Sequence, residues 1–355
     1  MTLYRITDLD SLHRHLDAAL QLEHATIPIY LTALYSIHPG TNAEGAHILR
    51  AVAVEEMLHL TLVGNLINAL GGRPDLTRPG FTPRFPTLLP DGEQDFSVGL
   101  APFSPAAIES FLKIERPASL NPEAGNLRPR AGRGHLLAAH AGGAEEHFFS
   151  IGEFYKAIVQ GLEHLHDRMG PALFAGDPAR QIGPEQYYSG GGTLIAITDL
   201  TTARAALDLI AEQGEGVTGD IFDEDGEIAH FYRFQQLLLG RYYAPGDAPG
   251  QPTGGPVPVD WSAVYPIRPN PRLADYPAGS DLRRAAEGFN AAYADYLALL
   301  TRAFDGQPDL FQEAVGEMFR LKERMLQLIR TPLDDGSGQH AAPTFEVNPM
   351  AEDAR

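Results

Sequence analysis

AVAVEEMLHLTLVGNLINAL, residues 51–70, has the spacing of a buried amphipathic helix, yet a glutamate and a histidine stand inside its apolar stripe. Counted from Glu56, the residues at i−7, i−4, i+4, i+7 and i+11 are Leu49, Val52, Leu60, Val63 and Ile67. At about 100° per residue these share one helix face, and His59 at i+3 shares it too. An isolated carboxylate on such a face costs on the order of several kcal/mol to bury and would sooner be protonated than stay charged. The stretch therefore calls for a compensating positive charge beside Glu56.

The preceding segment, residues 10–37, repeats the situation. Leu12, Leu16, Leu20, Ile27, Tyr30, Leu31 and Leu34 fall at helical spacing, with Glu23 in mid-stripe. Pro28 predicts a kink, because it removes the hydrogen bond to the carbonyl of His24. Thr41 and Glu44 have the T-x-x-E spacing of a capping box, and Gly71-Gly72 supplies a stop. The two segments thus read as an antiparallel helix pair turning at His38-Pro39-Gly40.

Further along, a Pro- and Gly-bearing crossing over 73–145 contains one short helix, with Ser104 as N-cap and Pro105 at its first position. A third long helix covers about 146–168, and a fourth is interrupted by a Gly- and Asp-rich insertion at 214–226. The expected fold is all-α, a four-helix bundle with a long crossover, loop insertions and additional C-terminal helices at about 281–304 and 309–330. Its expected organisation is a bundle over 1–242, a Pro/Gly-rich strap over 243–280 and helices over 281–355 packed on the bundle.

Composition narrows the functions. The 355 residues contain no Cys, which removes thiol catalysis, iron–sulfur ligation and Cys-ligated zinc. A formal charge of −19 argues against a nucleic-acid or anionic-membrane partner. No apolar run reaches the ~18 residues of a membrane span, and the N-terminus lacks the basic start and apolar centre of a signal peptide. A cytoplasmic protein is expected.

Glu227-x-x-His230 repeats the Glu56-x-x-His59 pattern near the end of the bundle, and Glu153 on the third helix brings the set to four Glu and two His. The spacing i, i+3 lets both side chains reach one metal ion. Four carboxylates neutralise the charge of two divalent ions, and mixed oxygen and nitrogen ligation suits iron or manganese. The E-x-x-H pattern alone is weak, and it also occurs at Glu44–His47 and Glu163–His166. Glu153 lies nearly opposite the stripe Phe148, Ile151, Tyr155, Ile158, Leu162 and Leu165, so Glu163 and Glu212 stand as alternatives for the third-helix ligand. Glu55 is placed beside the ligands or at the surface, and His13, His15 and His24 on polar faces.

LQLEHATIPIYLTALYSI (20–37), EEMLHLTLVGNLINALGGRP (55–74), FSIGEFYKAI (149–158) and EIAHFYRFQQLLLGR (227–241) resemble the ferritin-like domain of the iminophenyl-pyruvate dimer synthase family, which includes the violacein- and rebeccamycin-type synthases. That resemblance implies a ferritin-like fold within the di-iron carboxylate superfamily and favours Glu153 over Glu163. A haem is a further option for the family, and here it would need a His ligand. The leading expectation is a di-iron oxidoreductase, with manganese or mixed metal as variants. It would use dioxygen or peroxide on a small organic substrate, such as an amino-acid-derived imine or aromatic. The alternative is a ferroxidase or peroxide scavenger with no organic substrate. A metal-free scaffold would leave the mid-stripe carboxylates uncompensated, and a zinc hydrolase lacks its H-E-x-x-H.

Overall fold

In the computed structural model, residues 6–90, 96–117, 120, 148, 150–188, 190–216, 221–222 and 226–347 are described. Among them are eight α-helices and no strand: α1 (Leu9–Ser36), α2 (Ala43–Ala69), α3 (Pro105–Ile114), α4 (Ile151–Met169), α5 (Leu200–Glu215), α6 (His230–Leu239), α7 (Asp281–Phe304) and α8 (Leu310–Ile329). None of these helices is long and apolar enough to cross a membrane.

Local chemistry sets the helix ends. Asp8 caps α1 by accepting from the Ser11 amide at 2.7 Å, and Ser11 returns the bond to the Asp8 amide. The helix continues through Pro28, whose own carbonyl accepts from the Thr32 hydroxyl at 2.6 Å. The capping box expected at Thr41 and Glu44 does not form. Asn42 is the N-cap of α2, in the left-handed region at φ 45° and with no side-chain bond to its own helix. Its amide is engaged elsewhere, paired with the backbone of Asp260 at 2.7 and 2.8 Å. Long-range tethering to the strap thus displaces the local cap.

The strap binds the bundle at several points. Tyr265 donates its amide to Ser36, His38 to Ala263 and Asn270 to Leu100, so the α1–α2 turn and the approach to α3 are held by one segment. α1 and α2 pair along their length. α4 and α5 lie against them, α3 packs with α6, and the α7–α8 hairpin covers another side. One apolar core joins residues as distant as Leu12, Phe111, Phe234, Phe304 and Phe345.

Close approach of α7 to α2 depends on Gly64. A Cβ there would lie 2.6 Å from ring carbons of Phe304, which is fully buried at the end of α7. Gly64→Ala gains about 1 kcal/mol of helix propensity but overpacks this contact by about 1–3 kcal/mol. We expect a net loss of about 1 kcal/mol, read as a lowered urea midpoint with an unchanged slope.

Candidate metal centre

Two buried clusters of possible ligand atoms share one residue. Glu23, Glu56 and His59 form the first, and Glu56, Glu115 and His230 the second, with the ligand atoms of each within 4.8 Å of one another. Glu23 comes from the middle of α1, Glu56 and His59 from the middle of α2, and His230 is the first residue of α6. Glu115 caps the C-terminal end of α3. All five are at most 4% exposed, so the group lies beyond the reach of bulk water.

Each imidazole is oriented from behind. The Gln213 amide nitrogen donates to the Gly191 carbonyl at 2.9 Å, which turns its oxygen to accept from His59 Nε2 at 2.8 Å. In the neutral ring this leaves a lone pair on Nδ1, which sits 3.3 Å from Glu23 Oε2. His230 is held in the same sense, its Nε2 2.8 Å from Glu55 Oε2, and Arg233 braces Glu55 through both carboxylate oxygens at 2.9 and 3.0 Å. His230 Nδ1 lies 3.2 Å from Glu56 Oε1 and 3.5 Å from Glu115 Oε2, yet it is buried without a hydrogen-bond partner. The rings stack at 5.7 Å.

The carboxylates are held too. The Tyr155 hydroxyl donates to Glu23 Oε1 and the Tyr30 hydroxyl to Glu115 Oε1, while Thr26 donates to Glu56 Oε2 at 2.8 Å. One oxygen of each carboxylate is thus occupied from outside, and the other faces an imidazole nitrogen.

The crowded carboxylates and imidazoles perturb one another. Burial and the neighbouring Glu115 push Glu56 up to about 7. Burial opposes a charge on His59 and His230, but Glu23 and Glu56 around the first, and Glu115, Glu55 and Glu56 around the second, raise both above the ordinary imidazole value. The set of three carboxylate and two imidazole donors, with an orphaned Nδ1 aimed between two carboxylates, fits a divalent transition metal.

The expected ligands divide accordingly. Glu23, Glu56, His59 and His230 meet here, whereas Glu153 and Glu227 do not. Glu153 stands in the first turn of α4, where its amide donates to the N-cap Ser150 at 3.1 Å; Tyr155, two residues on, is what α4 turns toward the centre. Glu227 precedes α6 instead of sharing a helix with His230, because the helix starts at His230 with Ala229 as its N-cap. Its side chain is 61% exposed, 3.4 Å from Arg233, and lines a polar cavity of about 480 Å³ with Glu44, His47 and Tyr242. Glu163 pairs with Arg204 at 2.7 Å near the surface, and Glu212 is exposed. His15 and His24 are buried, contrary to their expected polar faces.

Glu115 and Gln213 escaped the sequence reading. Each sits at or near a helix C-terminus, outside any apolar stripe that it could interrupt.

Comparison with known proteins places the five clustered residues inside one matched region. The Ferritin-like family model matches residues 16–239. Dichlorochromopyrrolate synthase of Lentzea aerocolonigenes is 27% identical over 324 residues, covering 84% of this chain. The chain spans only 29% of that relative's length. A crystal structure of a ferritin-like protein from Caulobacter vibrioides superposes with a TM-score of 0.59 at 25% identity, covering 89% of this chain and 93% of that one.

Proposed function

Because the chain belongs to the ferritin-like family, we propose that Glu23, Glu56, His59, Glu115 and His230 would hold two transition-metal ions, Glu56 being common to both clusters, and that the centre oxidises a small organic substrate. The observation that carries this reading is the pair of imidazoles, each fixed through Nε2 so that Nδ1 faces carboxylate oxygens of one of two clusters sharing Glu56. Iron bound there would supply redox chemistry with dioxygen or peroxide.

The protein's own part is orientation and exclusion of water. Gln213 and the Glu55–Arg233 pair set the ring directions, and Tyr155, Tyr30 and Thr26 hold the carboxylates. Three carboxylates leave two divalent ions with one net positive charge, which favours an anionic group on the substrate. The likeness to a synthase supports an organic substrate over plain iron handling.

The test is anaerobic loading with ferrous ion followed by dioxygen uptake, with and without candidate aromatic imino or keto acids. About two irons per chain, with uptake that continues only when an organic substrate is consumed, is the expected result. Uptake equal in both conditions would leave a ferroxidase. Orientation has its own readout. Gln213→Leu leaves His59 unsteered and is expected to lower metal affinity about 10–100-fold, measured by competition with a chelator.

A further inference from the structure

Between the α7–α8 hairpin and the α1–α2 pair lies a cavity of about 280 Å³. On α2 it is lined by Val54, Met57 and Thr61, about 100–160° round the helix from Glu56, and by Ala53 and Leu60, about 40–60° from it. None of the five clustered residues lines the cavity, and α2 borders both.

Its walls are apolar and conformable. Met57, Met318 and Met325, three of the chain's six methionines, line it together with Phe289 and Tyr296. Unbranched thioether side chains adapt to a guest at low cost. The charge at its edge is one-sided. Among the described residues no Asp or Glu lines the cavity, although the chain carries 46 acidic and only 27 basic residues; Arg50 and Lys322 do line it. Arg50 is exposed and Lys322 half-buried, so both lie toward solvent, and among the described residues neither has an ion-pair or hydrogen-bond partner. Arg50 acts on the cavity lining already, partly offsetting the upward push of burial on Tyr35. Phe319, 68% exposed, adds an apolar lip.

We propose that this cavity binds an apolar monocarboxylate of medium chain length, its chain among the methionines and aromatics and its carboxylate toward Arg50 and Lys322. At about 30 Å³ for each water-sized group the space takes about nine such groups, close to the ~10 non-hydrogen atoms of an eight-carbon acid. The apolar walls supply affinity, and the two unpaired cations select an anion over a cation of the same length.

The experiment is a titration of the full chain, labelled with [methyl-13C]methionine, with octanoate and with octylammonium. Octanoate is expected to shift the methyl signals of Met57, Met318 and Met325 and leave that of Met169 in place. The double variant R50A/K322A changes two side chains outside the metal centre and should keep the wild-type spectrum, while its octanoate Kd rises at least 10-fold. Octylammonium should bind at least 10-fold more weakly than octanoate. If the three methyls stay unmoved up to about 5 mM octanoate, a level beyond the ~1 mM end of weak binding, the site does not exist. Equal binding of octylammonium, or an unchanged Kd in the double variant, would equally overturn the assignment.

Discussion

Glu56→Gln is expected to empty the centre of metal and, at the same time, to make the metal-free protein more stable. Glu56 is common to both clusters, so its loss deprives each of an anionic oxygen. The amide keeps an oxygen for the Thr26 hydroxyl but carries no charge. Metal content should fall from about two ions per chain to near none, a loss in affinity exceeding the ~10–100-fold typical of merely orienting residues. The stability gain follows from linkage. Burial and Glu115 raise Glu56 from 4.5 to about 7, so the folded chain holds a proton that the unfolded chain releases. The stabilising proton is fully present below pH 4.5 and is lost as pH rises through 7. Glu56 also helps to raise His59 and His230, so its replacement gives back part of this gain above pH 6.5. Calorimetry after chelation should therefore show a Tm above wild type at pH 8 and little difference at pH 4.5. A structural ion-pair cluster predicts the opposite sign, since His230 would lose a partner without gain. Metal content unchanged by the substitution would remove Glu56 from the site.

How much of this was legible depended on whether a residue broke a local pattern. Glu23, Glu56 and His59 interrupt apolar stripes on long, uniformly helical segments, and such interruptions are visible because the alternative is an uncompensated buried charge. His230 was legible for a reason that does not hold: the E-x-x-H spacing has meaning only if one helix spans both residues, and α6 begins at His230. Glu55 looked like either a neighbour of the ligands or a surface residue, and it proves to anchor His230. Glu115 follows a short helix and precedes Arg116, where a helix C-terminus is ordinary. Its meeting with His230, 115 residues later, is made by packing of α3 against α6. The four-helix pattern and the C-terminal helices were readable from period alone. The cap of α2 was not, because Asn42 answers to Asp260 across the fold.

The same distinction yields the second large effect, a contrast among three glutamates. Glu115→Gln should halve the metal content, leaving one ion on Glu23, Glu56 and His59, while Glu153→Gln and Glu227→Gln should leave it unchanged. Glu153 is in the first turn of α4, where a carboxylate is worth about 0.3–1 kcal/mol against the helix dipole, so its replacement costs stability alone. Glu227 lies in an exposed pair with Arg233, and its loss also leaves Arg233 bound to Glu55. Inductively coupled plasma mass spectrometry of the three variants, loaded side by side, measures the contrast. Loss of metal in Glu153→Gln with retention in Glu115→Gln would invert the assignment. Geometry weighs against that outcome. Tyr155, which donates to Glu23, and Glu153 are two residues apart, about 200° round α4. Exchanging one for the other at the centre would take the buried stripe of Phe154, Ile158, Leu162 and Leu165 out of the core with it. Four large apolar side chains, each worth about 1.5–3 kcal/mol when buried, oppose that rotation more strongly than a single carboxylate could drive it.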